Sequence, residues 1–449
     1  MALNQSATPA HPRPPGAVVM VSICSALFPL DAARAMLVCS RPVAAAAGMN
    51  IADEPVRDAA GLRAALAAHD PASLAGLAIQ MGTFATAELL HALMDWMGPA
   101  RPAIALWALE EPGEIVTNSL CGAQLWSSTL RRLGRDAVFL LGDPQSPALA
   151  RDLAGFAAGA RAAHALRGAR VALVGSHAAW FTNLATDPWA LGRTLGVSVA
   201  QVSLPAFLAG CTAEQGAAHQ AARCWDGVAF DAGDAEAHRL TLGHTLAQLG
   251  AGLDRLDADA VAIRDWPEIL YADAFRGTWA ALGELSDRAV PIAPEGDVPG
   301  ALTALAVRAM DPASLPFLTD ISGIDRAGNR LVLWHYGVSP RLAAGPRRVD
   351  AMLKQESFDL RPGPMTLLRL SVRPDGRLRL FVAEGDLLPE PTGANRAAGY
   401  FRPHAEPAEA LVRRFIAAGY EHHVTAVYGQ HARSALAMAL ALDIEVDHV

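Results

Sequence analysis

The chain has 449 residues, 52% of them hydrophobic and 18% charged, which at about 100–200 residues per domain predicts two to four domains with ample core. That composition excludes a disordered chain, which is poor in apolar residues. Lys plus Arg number 37 against 45 Asp plus Glu, a net charge of −8, so the chain lacks the basic balance expected of a nucleic-acid partner.

Lys354 is the only lysine, so a Schiff-base mechanism has one residue to use. Cys24, Cys39, Cys121, Cys211 and Cys224 are scattered, with no CxxC pair, and predict neither a disulfide framework nor a zinc knuckle. Residues 1–16 (MALNQSATPAHPRPPG) are polar and proline-rich and read as a disordered tail. The apolar run Ala17 to Leu30 is 14 residues long and ends at Asp31, too short for a bilayer. Only Arg13 precedes it, among prolines, which argues against a secretory leader. The expectation is a cytoplasmic protein with no membrane partner.

From Ala17 the pattern is strand, then helix, repeatedly. AVVMVSI is a strand, Asp31 to Val38 a short helix, Asp58 to Ala68 a second helix, LAGLAIQM a strand, Ala85 to Met97 a helix and PAIALWAL a strand. This alternation, with nearly continuous apolar strands, predicts a parallel sheet covered by helices on both faces. It forms an N-terminal α/β domain over 17–167. A second α/β domain is predicted over 168–290, from the strand ARVALVGS through a short helix (Leu191 to Leu195), the strand VSVAQVSL and Ala-rich helices to about Leu256. DAVAIRDWP follows as a strand whose polar end carries Arg264, Asp265 and Trp266. Open α/β sheets gather ligands at such carboxyl ends. Over 291–449 Gly, Pro and Asp become frequent and β-runs dominate. MTLLRLSVRPDGRLRLFVAEGDLL reads as a hairpin about Pro-Asp-Gly, so this third region is predicted to be rich in antiparallel strands. It closes with the helix Glu406 to Ala418, the strand HVTAVYG, a helix from Ala432 and the strand IEV.

Three clusters there offer chemistry. Pro294-Glu295-Gly296-Asp297 carries two carboxylates about a glycine, although Asp at a helix start is also a common cap. Asp320 ends the apolar run Phe317-Leu318-Thr319, and His335 lies between Trp334 and Tyr336. His422 and His423 stand at the start of HVTAVYG, and strand alternation predicts that at most one of them faces a given site. Glu295, Asp320, His335 and one of these histidines form a hard-carboxylate and imidazole set without thiolate. Such a set suits Mn2+, Mg2+ or Co2+ better than structural zinc. HExxH, P-loop and GxSxG signatures are absent.

The series IRDWP (263–267), PEGDVPGALT (294–303), TDISGI (319–324), GNRLVLWHYG (328–337) and GYEHHVTAVYG (419–429), with NSLCG (118–122) and LRRLGR (130–135) upstream, resembles the L-fucose isomerase and L-arabinose isomerase superfamily. The resemblance implies two doubly wound α/β domains followed by a C-terminal β-barrel-like domain carrying most of the metal site. It also implies a metal-dependent aldose–ketose isomerase, typically with Mn2+, acting on a monosaccharide as a homo-oligomer of up to six copies. Glu295 and Asp320 would be metal ligands and the acid/base pair, and His423 a further ligand. His335 would bind metal or sugar, and Asn118 would stand near the substrate entrance, contributed by a neighbouring subunit. Trp266 and Trp334 are further substrate-binding candidates by position. The chain departs from the family pattern at Asp265 and Pro294, where cysteine is usual, and at Tyr336, where a small residue is usual. Arg402, in TGANRAAGYFRP (392–403), is a candidate for an anionic group on the substrate. The alternatives are a non-catalytic sugar-binding protein of the same fold, or an epimerase or isomerase of a sulfonated or phosphorylated sugar.

Overall fold

The computed structural model describes residues 15–350 and 355–448. All but the last two residues of the expected tail, and Lys354, lie outside them. Two compact units are formed, one from Pro14–Ala165 with Arg433–Glu445 and the other mainly from Leu166–Ala432.

In the first unit, β1 (Ala17–Ile23), β2 (Asn50–Ile51), β3 (Leu74–Met81), β4 (Ala103–Ala108) and β5 (Val138–Leu141) form a parallel sheet in the order β2-β1-β3-β4-β5. This is one of the common orders of doubly wound sheets. β3 and β4 are buried at every position, which explains their sequences, apolar but for Gln80: both faces are covered by helices. The first helix runs Leu30–Ala46, well past the predicted end, because Ala and Leu continue on both sides of Pro42. The second is Ala59–Leu66, capped by the Asp58 side chain on Gly61 N. The helix Pro147–Leu166 meets the helix Ala432–Leu442 at Gly159, where a Cβ would lie 2.3 Å from Ser434 O. Only glycine permits that approach.

In the second unit, β6 (Arg170–Val174) and β7 (Ser198–Val202) are followed by the short strand β8 (Ala229–Phe230), then β9 (Ala260–Ile263) and β10 (Ile292–Ala293). The parallel sheet runs β10-β9-β6-β7, so the carboxyl ends of β9 and β10, with Asp265 and Glu295, lie side by side. The same unit carries a large mixed sheet. It contains β11 (Phe317–Asp325), β12 (Arg330–His335), β13 (Arg348–Val349), β14 (Glu356–Asp359), β15 (Gly363–Val372), β16 (Leu378–Leu387), β17 (Ala397–Pro403) and β18 (His423–Tyr428). β15 and β16 are the hairpin read from the sequence.

Antiparallel pairings run β16-β15-β18-β11-β12-β17, and β17 also pairs with β16, which closes the circuit. Leu331, Leu333, Met365, Leu367, Phe381 and Phe401 belong to the apolar cluster that these strands share. Among the described residues no helix is long and apolar enough to cross a membrane. Phe401 is fully buried in that cluster, so Phe401→Ala is expected to destabilise the chain by about 3–5 kcal/mol. Unfolding followed by circular dichroism checks this; an unchanged transition would mean that the strand circuit does not enclose a packed core.

Candidate active site

Glu295 sits in the tight turn Pro294–Gly296 that follows β10, with φ +60°. A non-glycine residue in this left-handed region costs about 1–3 kcal/mol and persists only where its surroundings hold it. Here Glu295 N donates to Asp265 Oδ1 at 2.6 Å, and Glu295 O accepts from Ala178 N at 2.9 Å. Gly296 follows at φ +73°, packed so closely that a Cβ would lie 2.2 Å from Ser176 O. Asp265 also accepts from Trp279 Nε1 at 2.8 Å. Burial, aided by the charge of Glu295, pushes the Asp265 carboxyl up to about 6.

Asp297 caps the helix Val298–Met310 by accepting from Gly300 N at 2.9 Å, as its position after a glycine allows. Its other oxygen accepts from His423 Nδ1 at 3.0 Å and from Arg369 Nη1 at 2.5 Å. Arg369 is fully buried between Asp297 and Glu421, whose Oε2 lies 3.0 Å from Arg369 Nε. Burial disfavours ionising Asp297, but the Arg369 charge and the His423 hydrogen bond outweigh it and hold the carboxyl far below its usual range.

The mixed sheet delivers the remaining groups. Asp320 on β11 is paired with His423 on β18 and with Trp334 on β12. His423 Nε2 lies 3.3 Å from Glu295 Oε2, 3.9 Å from Asp320 Oδ1 and 3.4 Å from His335 Nε2. His335 Nδ1 faces the Tyr336 carbonyl at 2.8 Å. A carbonyl only accepts, so that nitrogen carries the proton and Nε2 is bare. His423 Nδ1 faces Asp297 and is protonated for the same reason, while its Nε2 faces Glu295 Oε2 and becomes free for a cation once it loses its own proton. Burial lowers the His335 pKa and keeps it neutral. With the His423 Nε2 proton removed, two imidazole lone pairs converge with a Glu295 oxygen, while the buried Asp320 Oδ1 has no hydrogen-bond partner.

Acceptors gathered this closely need a cation or a proton between them. Burial disfavours protonating His423, but its bonds to Asp297 and Glu295, and their charges, raise it to about 9. A divalent cation would compete with that proton. Carboxylate and imidazole donors without thiolate fit Mn2+, Mg2+ or Co2+. The carboxylate on the outer nitrogen of His423 is the usual support of a ligating histidine.

Strand alternation predicted that only one of the adjacent histidines could face the site. The structure corrects this. His422 precedes β18, so alternation does not govern it, and its Nε2 lies 3.4 Å from the same Glu295 Oε2. Asn183 Nδ2 donates to its Nδ1 at 2.9 Å, which leaves Nε2 a donor to Glu295. Burial disfavours the Glu295 anion, yet these histidines hold its carboxyl far below the usual range. The Tyr336 hydroxyl donates to Glu295 Oε1 at 2.7 Å. Its ring stacks on Trp279, with centroids 3.8 Å apart, and on His335 at 4.4 Å.

The structure thus brings together Glu295, Asp320, His335 and His423. Trp334 lies beside Asp320, and Trp266 stacks on Phe181, which in turn packs edge-on against His422. Asn118 belongs to the other unit, where it precedes the helix Ser119–Arg132 at φ +51° and donates its N–H to Glu111. Arg402 is exposed near the Gly328 turn, at the end of β12 away from His335. Sequence reasoning marked Asp265 at a polar strand end but assigned no particular role to it, to Tyr336 or to Arg369. The first two stand where the chain departs from the family pattern, and Arg369 is a lone charge inside the apolar run LLRLSV.

Residues 357–449 match the family model described as the L-fucose isomerase C-terminal domain. Over 386 residues the chain is 25% identical to a sulfoquinovose isomerase of Priestia aryabhattai, covering 82% of this chain and 83% of that protein. It is 25% identical over 370 residues to one of Alkalicoccus urumqiensis (77% and 80% covered) and 26% over 372 residues to one of Clostridium sp. (strain MSTE9) (76% and 79% covered). These likenesses support an L-fucose isomerase-like sugar isomerase, an enzyme of the aldose–ketose class.

Asp297→Asn is expected to weaken binding of Mn2+ about 10–100-fold, by loosening the orientation of His423. It should also lower the thermal midpoint by leaving Arg369 short of a counter-charge. Calorimetric titration of the folded variant checks the first; wild-type affinity would show that Asp297 does not orient the histidine.

Proposed function

We propose that the protein is a divalent-metal-dependent isomerase that interconverts a sulfonated aldose and its ketose, with sulfoquinovose as the leading substrate. The convergence of the His335 and His423 lone pairs, Glu295 and the unpartnered Asp320 oxygen carries the metal reading. The name shared by relatives that align over about four fifths of the chain supports the substrate.

Glu295, Asp320 and His423 would hold the cation, with His335 Nε2 alongside. When bound, the ion would polarise the sugar carbonyl and offset the negative charge that develops on the adjacent oxygens. Glu295 is tied by Tyr336 and both histidines and stays anionic, so its part is to hold and to repel. Asp320 is the freer carboxylate; it takes the proton from C2 of the sugar, exchanges it with solvent and delivers a proton to C1 of the enediolate, while the O2 proton passes to O1. The Tyr336 hydroxyl keeps Glu295 from rotating toward the substrate. The Trp279–Tyr336–His335 stack excludes water from one side of the proton path, and the Phe181–Trp266 pair flanks His422.

Metal-loaded protein is expected to convert sulfoquinovose to its ketose. Asp320→Asn should lower kcat by about 10²–10⁴-fold, read as ketose formation by NMR. Full turnover by that variant would remove Asp320 from the proton path, and no conversion of any sulfonated sugar by the wild type would overturn the substrate.

A further inference from the structure

Arg396 immediately precedes β17. Its carbonyl accepts from Phe358 N at 3.4 Å, and the next residue, Ala397, pairs with His335. The backbone therefore places Arg396 at the level of the histidine end of β12, in the same segment as Arg402 but at the site rather than away from it. Its half-buried guanidinium lies over the rings of Trp334 and Trp279, at 5.3 and 5.6 Å. Nη1 donates to Asn395 O at 2.7 Å, whereas Nε is buried without a hydrogen-bond partner.

No carboxylate lies within ion-pair distance of Arg396 among the described residues. Other arginines near the site are already engaged. Arg264 is held by Glu268 and Ser176, and Arg369 by Asp297 and Glu421. Burial lowers the pKa of Arg396, partly offset by Asp350 and Tyr336, yet an arginine stays charged in any protein environment. A guanidinium removed from water without a counter-anion is unfavourable. The indole faces fix its plane, which suits it to grip two oxygens of a tetrahedral oxyanion.

We infer that Arg396 is the residue that binds the anionic group of the substrate, a sulfonate on the carbon chain remote from the reacting carbons. The inference rests on the proposed sulfonated substrate. The Tyr336–Trp279 stack separates Arg396 from Glu295. An anionic group held at Arg396 would therefore bring no second negative charge into contact with Glu295. A phosphate offers the same tetrahedral oxygens with more charge, so the experiment must separate the two.

Full-length, metal-loaded wild type, Arg396→Gln and Arg396→Lys would be compared on sulfoquinovose, D-glucose 6-phosphate and D-glucose. Calorimetric titration with methanesulfonate and with inorganic phosphate would accompany the kinetics. In Arg396→Gln the ratio of kcat/KM for sulfoquinovose over D-glucose should fall roughly 10–100-fold, the worth of a charge-assisted hydrogen bond, mainly through KM. Arg396→Lys should recover part of it. Methanesulfonate binding should be present in the wild type and lost in Arg396→Gln, and this arm stands even if the wild type turns over no sulfonated sugar, an outcome that would sink the substrate reading alone. An unchanged ratio, or methanesulfonate bound equally by both proteins, would overturn the role of Arg396. Tighter binding of phosphate than of methanesulfonate through Arg396 would overturn the sulfonate and assign a phosphorylated sugar.

Discussion

His423 is held by a carboxylate that cannot move. Asp297 shares one oxygen between the histidine Nδ1 and the buried Arg369, while its other oxygen caps a helix. Arg369 is anchored in turn by Glu421. A buried ion pair of this kind contributes little net stability, because desolvation consumes much of its Coulomb energy. Its effect is directional: the proton stays on Nδ1, and Nε2 is turned toward Glu295, His335 and Asp320. Without that constraint the imidazole could present its N–H to the cluster, and the acceptors would have no shared vacancy for a cation.

Glu295 reaches the same point by a different route. The parallel sheet brings the ends of β9 and β10 together, so Asp265 can accept a hydrogen bond from the Glu295 amide and hold a left-handed turn that a glutamate otherwise avoids. Asp265 is itself buried and pinned by Trp279, which stacks on Tyr336, which holds the Glu295 carboxylate. The three residues form one connected support, and two of them, Asp265 and Tyr336, are departures from the family pattern. They are compatible as a pair: a buried carboxylate able to accept an amide proton, and a phenol able to brace the side chain of the same glutamate.

Much of the fold was legible because its strands are either continuous or alternating. AVVMVSI, LAGLAIQM and the 365–388 hairpin announce themselves by pattern and turn chemistry. Glu295, Asp320, His335 and His423 were named from polar residues at the ends of apolar runs and from the family resemblance, and the fold brings their side chains together. The pairing of His422 with Glu295 was hidden because alternation was applied one residue before the strand begins. Arg369 and Tyr336 were hidden because their partners lie far away in sequence. Arg402 drew attention over Arg396 for lack of register: only the pairing of β12 with β17 reveals which end of the segment meets the site.

The central claim is that this cluster, loaded with a divalent cation, moves a proton between adjacent carbons of a sugar. The most direct test is incubation of chelator-stripped protein with sulfoquinovose in D2O, with and without added Mn2+, followed by NMR. Deuterium should appear at C2 of recovered aldose and C1 of the ketose only when Mn2+ is present. Conversion with complete retention of the C2 hydrogen at C1, or conversion unaffected by stripping, would contradict it.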